Sequence, residues 1–150
     1  MNILERIIAF IFTKLFSSGL GKITSQYPSQ EFFVVSKKDN LDTLINQAKS
    51  FGEKNKWSFF KLYPREGSRI ITWVEGGFGT SYPRTVGFEV REAADKYYIW
   101  AESRYNRNQM TDRGENRKNI DTLKTYFNQQ YGIVPSDLSW AEAVKQIPLK

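Results

Sequence analysis

Apolar residues recur along this chain with two distinct periods. In MNILERIIAFIFTKLFSSGLGKI, Ile3, Leu4, Ile7, Ile8, Phe10, Ile11 and Leu15 share one broad arc of a helical wheel. Asn2, Glu5, Arg6, Ala9, Thr13 and Ser17 gather opposite, so the spacing predicts an amphipathic helix within residues 1–23. Ser17-Ser18-Gly19 ends its periodic part. The polar run TSQYPSQE, with its proline, predicts a linker. EFFVVS at 31–36 has the length and side chains of a strand. Asp39 and Asn40 then offer N-cap oxygens to a helix carrying Leu41, Leu44, Ile45, Ala48 and Phe51, which Gly52 and the polar 53–56 close.

From residue 57 the period falls to two. WSFFKLY (57–63), RIITWVE (69–75), VGFEV (86–90) and KYYIWAES (96–103) are joined by a Pro64-Arg65-Glu66-Gly67 turn, a Gly-rich loop and a turn at Glu92–Asp95. Short turns between aromatic and β-branched runs predict an antiparallel meander. Alternation puts Ile70 and Val74 opposite Ile71 and Trp73, and sets Tyr97, Ile99 and Ala101 against Tyr98, Trp100 and Glu102. Both faces carry bulky apolar groups and both need cover. The two later helices are expected on one face, and the N-terminal helix or an open aromatic groove on the other. Period 3.6 returns with Ile120, Leu123, Phe127 and Tyr131, ending at Gly132, and Ser139-x-x-Glu142 has the form of a capping box opening a last helix. The expected fold is α+β: an antiparallel four- or five-stranded meander packed with two or three helices, forming one domain over 31–150, preceded by an N-terminal amphipathic helix.

Composition removes several chemistries. The chain has no cysteine and no histidine, which excludes disulfides, thiolate metal sites, thiol nucleophiles and any Ser-His-Asp arrangement. A metal would need oxygen ligands, and no cofactor is expected. Gly76-Gly77-Phe78-Gly79 lacks the Lys-Ser/Thr of a phosphate loop and precedes no helix. Glu75, Glu89 and Glu102 on three strands would have to converge to support carboxylate–Mg²⁺ catalysis; otherwise they are solvent-facing or pair with Arg69, Arg91 and Arg104.

The net charge of +6 favours anionic partners, although moderate basicity also serves plain solubility. The charge concentrates in SRYNRNQMTDRGENRKN at 103–119, where Arg104, Arg107, Arg113, Arg117 and Lys118 meet a helix start, a natural anion-binding combination. A structural role competes with it. Asp112 or Asn116 would cap the helix, Gly114 would make a tight left-handed turn, and Arg104 would clamp Asp112. Trp73, Tyr98 and Trp100 beside arginines would also suit a nucleic-acid surface that stacks bases and pairs phosphates, if those rings are exposed.

The segments Ala101-Glu102-Ser103-Arg104, Asp112-Arg113-Gly114-Glu115-Asn116 and Ile120 carry a further signal. They resemble the end of a bacterial domain-of-unknown-function family, whose strand ends in Ser-x-Ser-Arg, followed by a Ser-Asp-x-Gly-x-Asn turn and a helix. Trp57 opening a strand and Phe88 within a later one fit the same order, so the similarity spans roughly residues 38–130. Ala101 and Thr111 stand where that family has serine, and Asn119 where its helix has arginine. The resemblance implies a small non-catalytic domain of a kind often linked to membranes or the envelope, and it supplies no known active site.

Together these point to a non-catalytic binding or accessory domain, membrane-associated or in the envelope, with the cytoplasm as the other location left open. Its partner would be a membrane surface or an envelope protein, with Ile3, Leu4, Ile7, Ile8, Phe10, Ile11 and Leu15 docking. A nucleic-acid-binding accessory protein is the alternative, and a carboxylate–Mg²⁺ enzyme is third.

Overall fold

Strand pairing follows the alternation. The computed structural model describes residues 29–65, 68–75, 84–105 and 114–147. Strands β2 (Trp57–Arg65), β3 (Ser68–Glu75), β4 (Arg84–Glu92) and β5 (Lys96–Tyr105) form the antiparallel meander, with one register shift between Phe59 and Lys61. Strand β1 (Ser29–Ser36) takes in the end of the expected linker and pairs antiparallel with β5, from Ser29 opposite Ser103 to Ser36 opposite Lys96. The two-residue β6 (Ile133–Val134) adds to β1. The sheet therefore has six strands in the order β2-β3-β4-β5-β1-β6, more than the four or five expected. The surplus is β6, too short to show any periodicity.

Helix α1 (Leu41–Lys54) and helix α2 (Glu115–Tyr131) cover one face. Leu44, Ile45 and Ala48 from α1, and Ile120, Leu123 and Phe127 from α2, meet Ile71, Trp73, Phe88 and Ile99 in the main core. Helix α3 (Trp140–Gln146) lies on the opposite face, where Trp140 and Ala143 pack with Val34 and Tyr98. The two later helices thus do not share a face. The cause is the edge strand: the chain leaves α2 through Gly132 at φ 80°, pairs with β1 as β6, and passes round the sheet edge. The N-terminal amphipathic helix expected within 1–23 lies outside the described residues.

The caps were partly legible. Asn40 Oδ1 accepts the Thr43 N–H at 2.8 Å, and Ser139 and Glu142 form the reciprocal capping box. Replacing Asn40 with alanine is expected to lower unfolding free energy by about 1 kcal/mol, read as a reduced urea midpoint at unchanged m-value. At α2 the expectation fails. The N-cap is Gly114 at φ 77°, a left-handed turn as predicted, but it offers no side-chain oxygen. Asn116 sits inside the first turn, buried, where its Oδ1 accepts from Ser103 Oγ at 3.0 Å.

Candidate functional site

Alternation along β4 and β5 places Glu89, Arg91, Glu102 and Arg104 on the α3 face of the sheet, and all four are buried. Each acid is paired with the arginine two residues further along its own strand: Arg91 Nη2 with Glu89 Oε1 at 2.8 Å, and Arg104 Nη2 with Glu102 Oε1. Gln30 Nε2 also donates to Glu102, at 3.4 Å. Arg91 reaches further, donating through Nη1 to the Ile147 carbonyl just past α3, with its guanidinium over the Trp140 ring. Burial pushes the Arg104 guanidinium down to about 10, still cationic at neutral pH. Glu75 projects from the other face, where Arg84 and Asn119 donate to it at 2.8 and 2.7 Å. The three glutamates therefore do not converge, and their partners neutralise them in place. Of these groups it is Arg91 that ties α3 to the sheet.

The arginine cluster divides. Arg104 is 3% exposed and faces its own strand's carboxylate, so it is not part of an anion-binding surface. Arg117 and Lys118 do lie on the surface, in the first turns of α2. Arg117 bonds Asp121 one turn on and Glu31 on β1, and Lys124 also bonds Glu31. At Glu31 burial works to raise the carboxyl pKa, but the hydrogen bonds from Lys124 and Arg117 outweigh it and hold the group below its usual range. Arg107 and Arg113 lie outside the described residues, as do Ile3, Leu4, Ile7, Ile8, Phe10, Ile11 and Leu15.

The expected aromatic surface does not form. Trp73 is fully buried between Trp57 and Phe88, beneath α1. Tyr98 is buried and its hydroxyl donates to Asp137 Oδ1 at 3.0 Å; burial first, then that carboxylate, raises its pKa. Trp100 is half-buried and stacks on Trp140 with centroids 5.9 Å apart. Bulky rings on both faces were covered by helices on both faces, leaving none of the three as a stacking platform for bases.

What the structure does open is a cleft between α1 and α2. Helix α1 sits on β2 and β3, and α2 on β1 and β5, with β4 between. At ~4.8 Å per strand the two axes stand roughly 15 Å apart, against about 8–10 Å for packed helices. The resulting cleft is about 1140 Å³. Phe51 and Tyr126 bridge it, their rings stacked at 4.2 Å and 18°. Thr43, Asn46, Gln47 and Ser50 line the α1 wall, and Asp121, Thr122, Thr125, Gln129 and Gln130 the α2 wall, Asp121 being the carboxylate that Arg117 bonds. Lys54, Arg117 and Lys118 gather at the end where α2 begins. Arg117 is already paired, but Lys54 and Lys118 form no ion pair among the described residues. Tyr131 donates to Gln47 Oε1 at 2.9 Å, whereas the buried Tyr126 hydroxyl finds no partner among the described residues, and burial, then Asp39, pushes it up to about 12.

These walls run against helix propensity. Thr43, Asn46, Ser50, Thr122 and Thr125 occupy solvent-side helix positions where Ala, Glu or Lys would each be better by about 0.5 kcal/mol, roughly 2–3 kcal/mol in all. Such local departures from the best helix formers tend to mark functional surface. The two rows are visible in the sequence at helical spacing, but nothing there says that they face one another.

Among the described residues no three acidic side chains are placed to hold a metal ion, and no helix is long and apolar enough to cross a membrane. In comparisons with known proteins, the chain matches no protein-family model and no curated protein sequence.

Proposed function

We propose that this chain is a non-catalytic binding domain that works at a membrane surface or within an envelope. The apolar arc of residues 1–23 docks it, and its basic edge meets anionic headgroups. The observation that carries the reading is that two exposed lysines, Lys54 in the last turn of α1 and Lys118 in the first turn of α2, line the same cleft. Two ammonium groups that form no ion pair among the described residues, one of them in the first turn of a helix, give up little on meeting a phosphate. The resemblance of the 101–120 stretch to a family linked to membranes or the envelope points to the same setting.

Vesicle cosedimentation tests it. The full chain is expected to bind phosphatidylcholine vesicles containing phosphatidylglycerol, and to bind phosphatidylcholine alone far less. Changing Ile7 and Ile8 to serine should abolish the binding. Replacing Lys54 and Lys118 with alanine removes about 1 kcal/mol for each charge and should weaken binding roughly 30-fold. Equal binding to neutral vesicles would count against the basic edge. Preference for a single-stranded oligonucleotide over either vesicle would transfer the reading to nucleic-acid binding.

A further inference from the structure

We infer that the cleft between α1 and α2 is a binding site for an acidic oligosaccharide. Apart from Asp121, which Arg117 neutralises, the walls present two facing rows of hydroxyls and amides, on helices held too far apart to pack against each other. A ligand that satisfies both rows must offer a donor and an acceptor at almost every position. A sugar ring does so, because each hydroxyl is both. Ser50 and Thr122 donate to carbonyls one turn back, and their oxygens keep the capacity to accept.

Among the described lining residues the apolar surface of the cleft is the half-buried Phe51–Tyr126 pair. Each ring covers one face of the other, so the pair leaves room for the C–H groups of no more than one sugar ring. It is too small to anchor a peptide, which draws its affinity from side chains seated in apolar pockets. It also lacks the succession of rings that a single strand of nucleic acid stacks on. The Tyr126 hydroxyl, without a hydrogen-bond partner among the described residues, is a polar group in this floor. Lys54 and Lys118 at one end set the polarity: a carboxylate or phosphate on the sugar lies there, and the neutral rings run towards Gln129 and Gln130.

The test uses the full chain and soluble sugars, with no lipid present, so it stands or falls apart from the vesicle result. A tetrasaccharide of alternating glucuronate and N-acetylglucosamine is titrated by calorimetry and by amide NMR. Saturable binding is expected, with shifts confined to α1 and α2 residues of the cleft. The neutral N-acetylglucosamine tetramer should bind roughly tenfold more weakly, and Lys118→Ala should remove most of that preference. Thr125→Leu fills the cleft from an exposed helix position and should weaken binding by at least roughly tenfold with no loss of melting temperature; Ser50→Leu does the same from the other wall. The inference is overturned by no response to either sugar at millimolar concentration, by shifts mapping outside the cleft, by equal or tighter binding of the neutral tetramer, or by undiminished binding in both leucine variants.

Discussion

Replacing Arg91 with methionine is expected to lower the unfolding free energy by about 3–5 kcal/mol. A domain of this size has only ~5–15 kcal/mol in total, so the melting temperature should fall by roughly 10 °C or more. Arg91 and Glu89 are both fully buried, and their ion pair is 2.8 Å long. Methionine matches much of the volume of the arginine stem but leaves the Glu89 carboxylate in a low-dielectric setting without its guanidinium. The same change removes the donor to the Ile147 carbonyl and the cation over Trp140, so α3 loses its tie to the sheet. Near-ultraviolet circular dichroism from the Trp100–Trp140 stack should weaken in parallel. The double variant Glu89→Gln with Arg91→Met removes both charges and should recover part of the loss, since an uncompensated buried charge costs more than an absent pair. A single variant that loses less than about 1 kcal/mol would show that water reaches this pair.

The reason Arg91 looked ordinary in the sequence also explains what else was hidden. Alternation correctly assigned Ile71 and Trp73 to one face and Ile70 and Val74 to the other, because a period of two is a local property of the strand. It equally put Glu89 and Arg91, or Glu102 and Arg104, on a common face. Whether that face is wet depends on α3, and α3 reaches it only through the two residues of β6. Partners across the sheet were the natural expectation for these arginines, whereas the acids they bind are on the same strand. The cleft was hidden in the same way. Its polar rows are plain at helical spacing, but its width follows from β1 pairing with β5, which carries α2 past β4. No local pattern encodes that insertion. The caps at Asn40 and Ser139 were readable because the chemistry of a helix start lies within four residues.

Gly52→Ala should reverse the sign that helix propensity assigns to it. In an exposed helix interior the change would stabilise by about 1 kcal/mol. Here a Cβ on Gly52 would stand 2.2 Å from Trp73 Nε1 and 2.6 Å from Cε2. The indole cannot retreat: it is fully buried, with Trp57 and Phe88 at centroid distances of 5.7 and 5.8 Å. Helix α1 must lift instead, and that opens the contacts of Leu44, Ile45 and Ala48 with the sheet. Overpacking of this kind costs about 1–3 kcal/mol, occasionally more; set against ~1 kcal/mol of propensity, a net loss of up to ~2 kcal/mol is expected, together with a shift of Trp73 fluorescence. Ser50→Ala, two residues earlier on the solvent side of the same helix, should stabilise by about 0.5 kcal/mol. The two substitutions have the same product and opposite signs, which separates packing from propensity. A stabilised Gly52→Ala protein would mean that Trp73 does not lie against this turn of α1, and the seat of α1 on β3 would have to be redrawn.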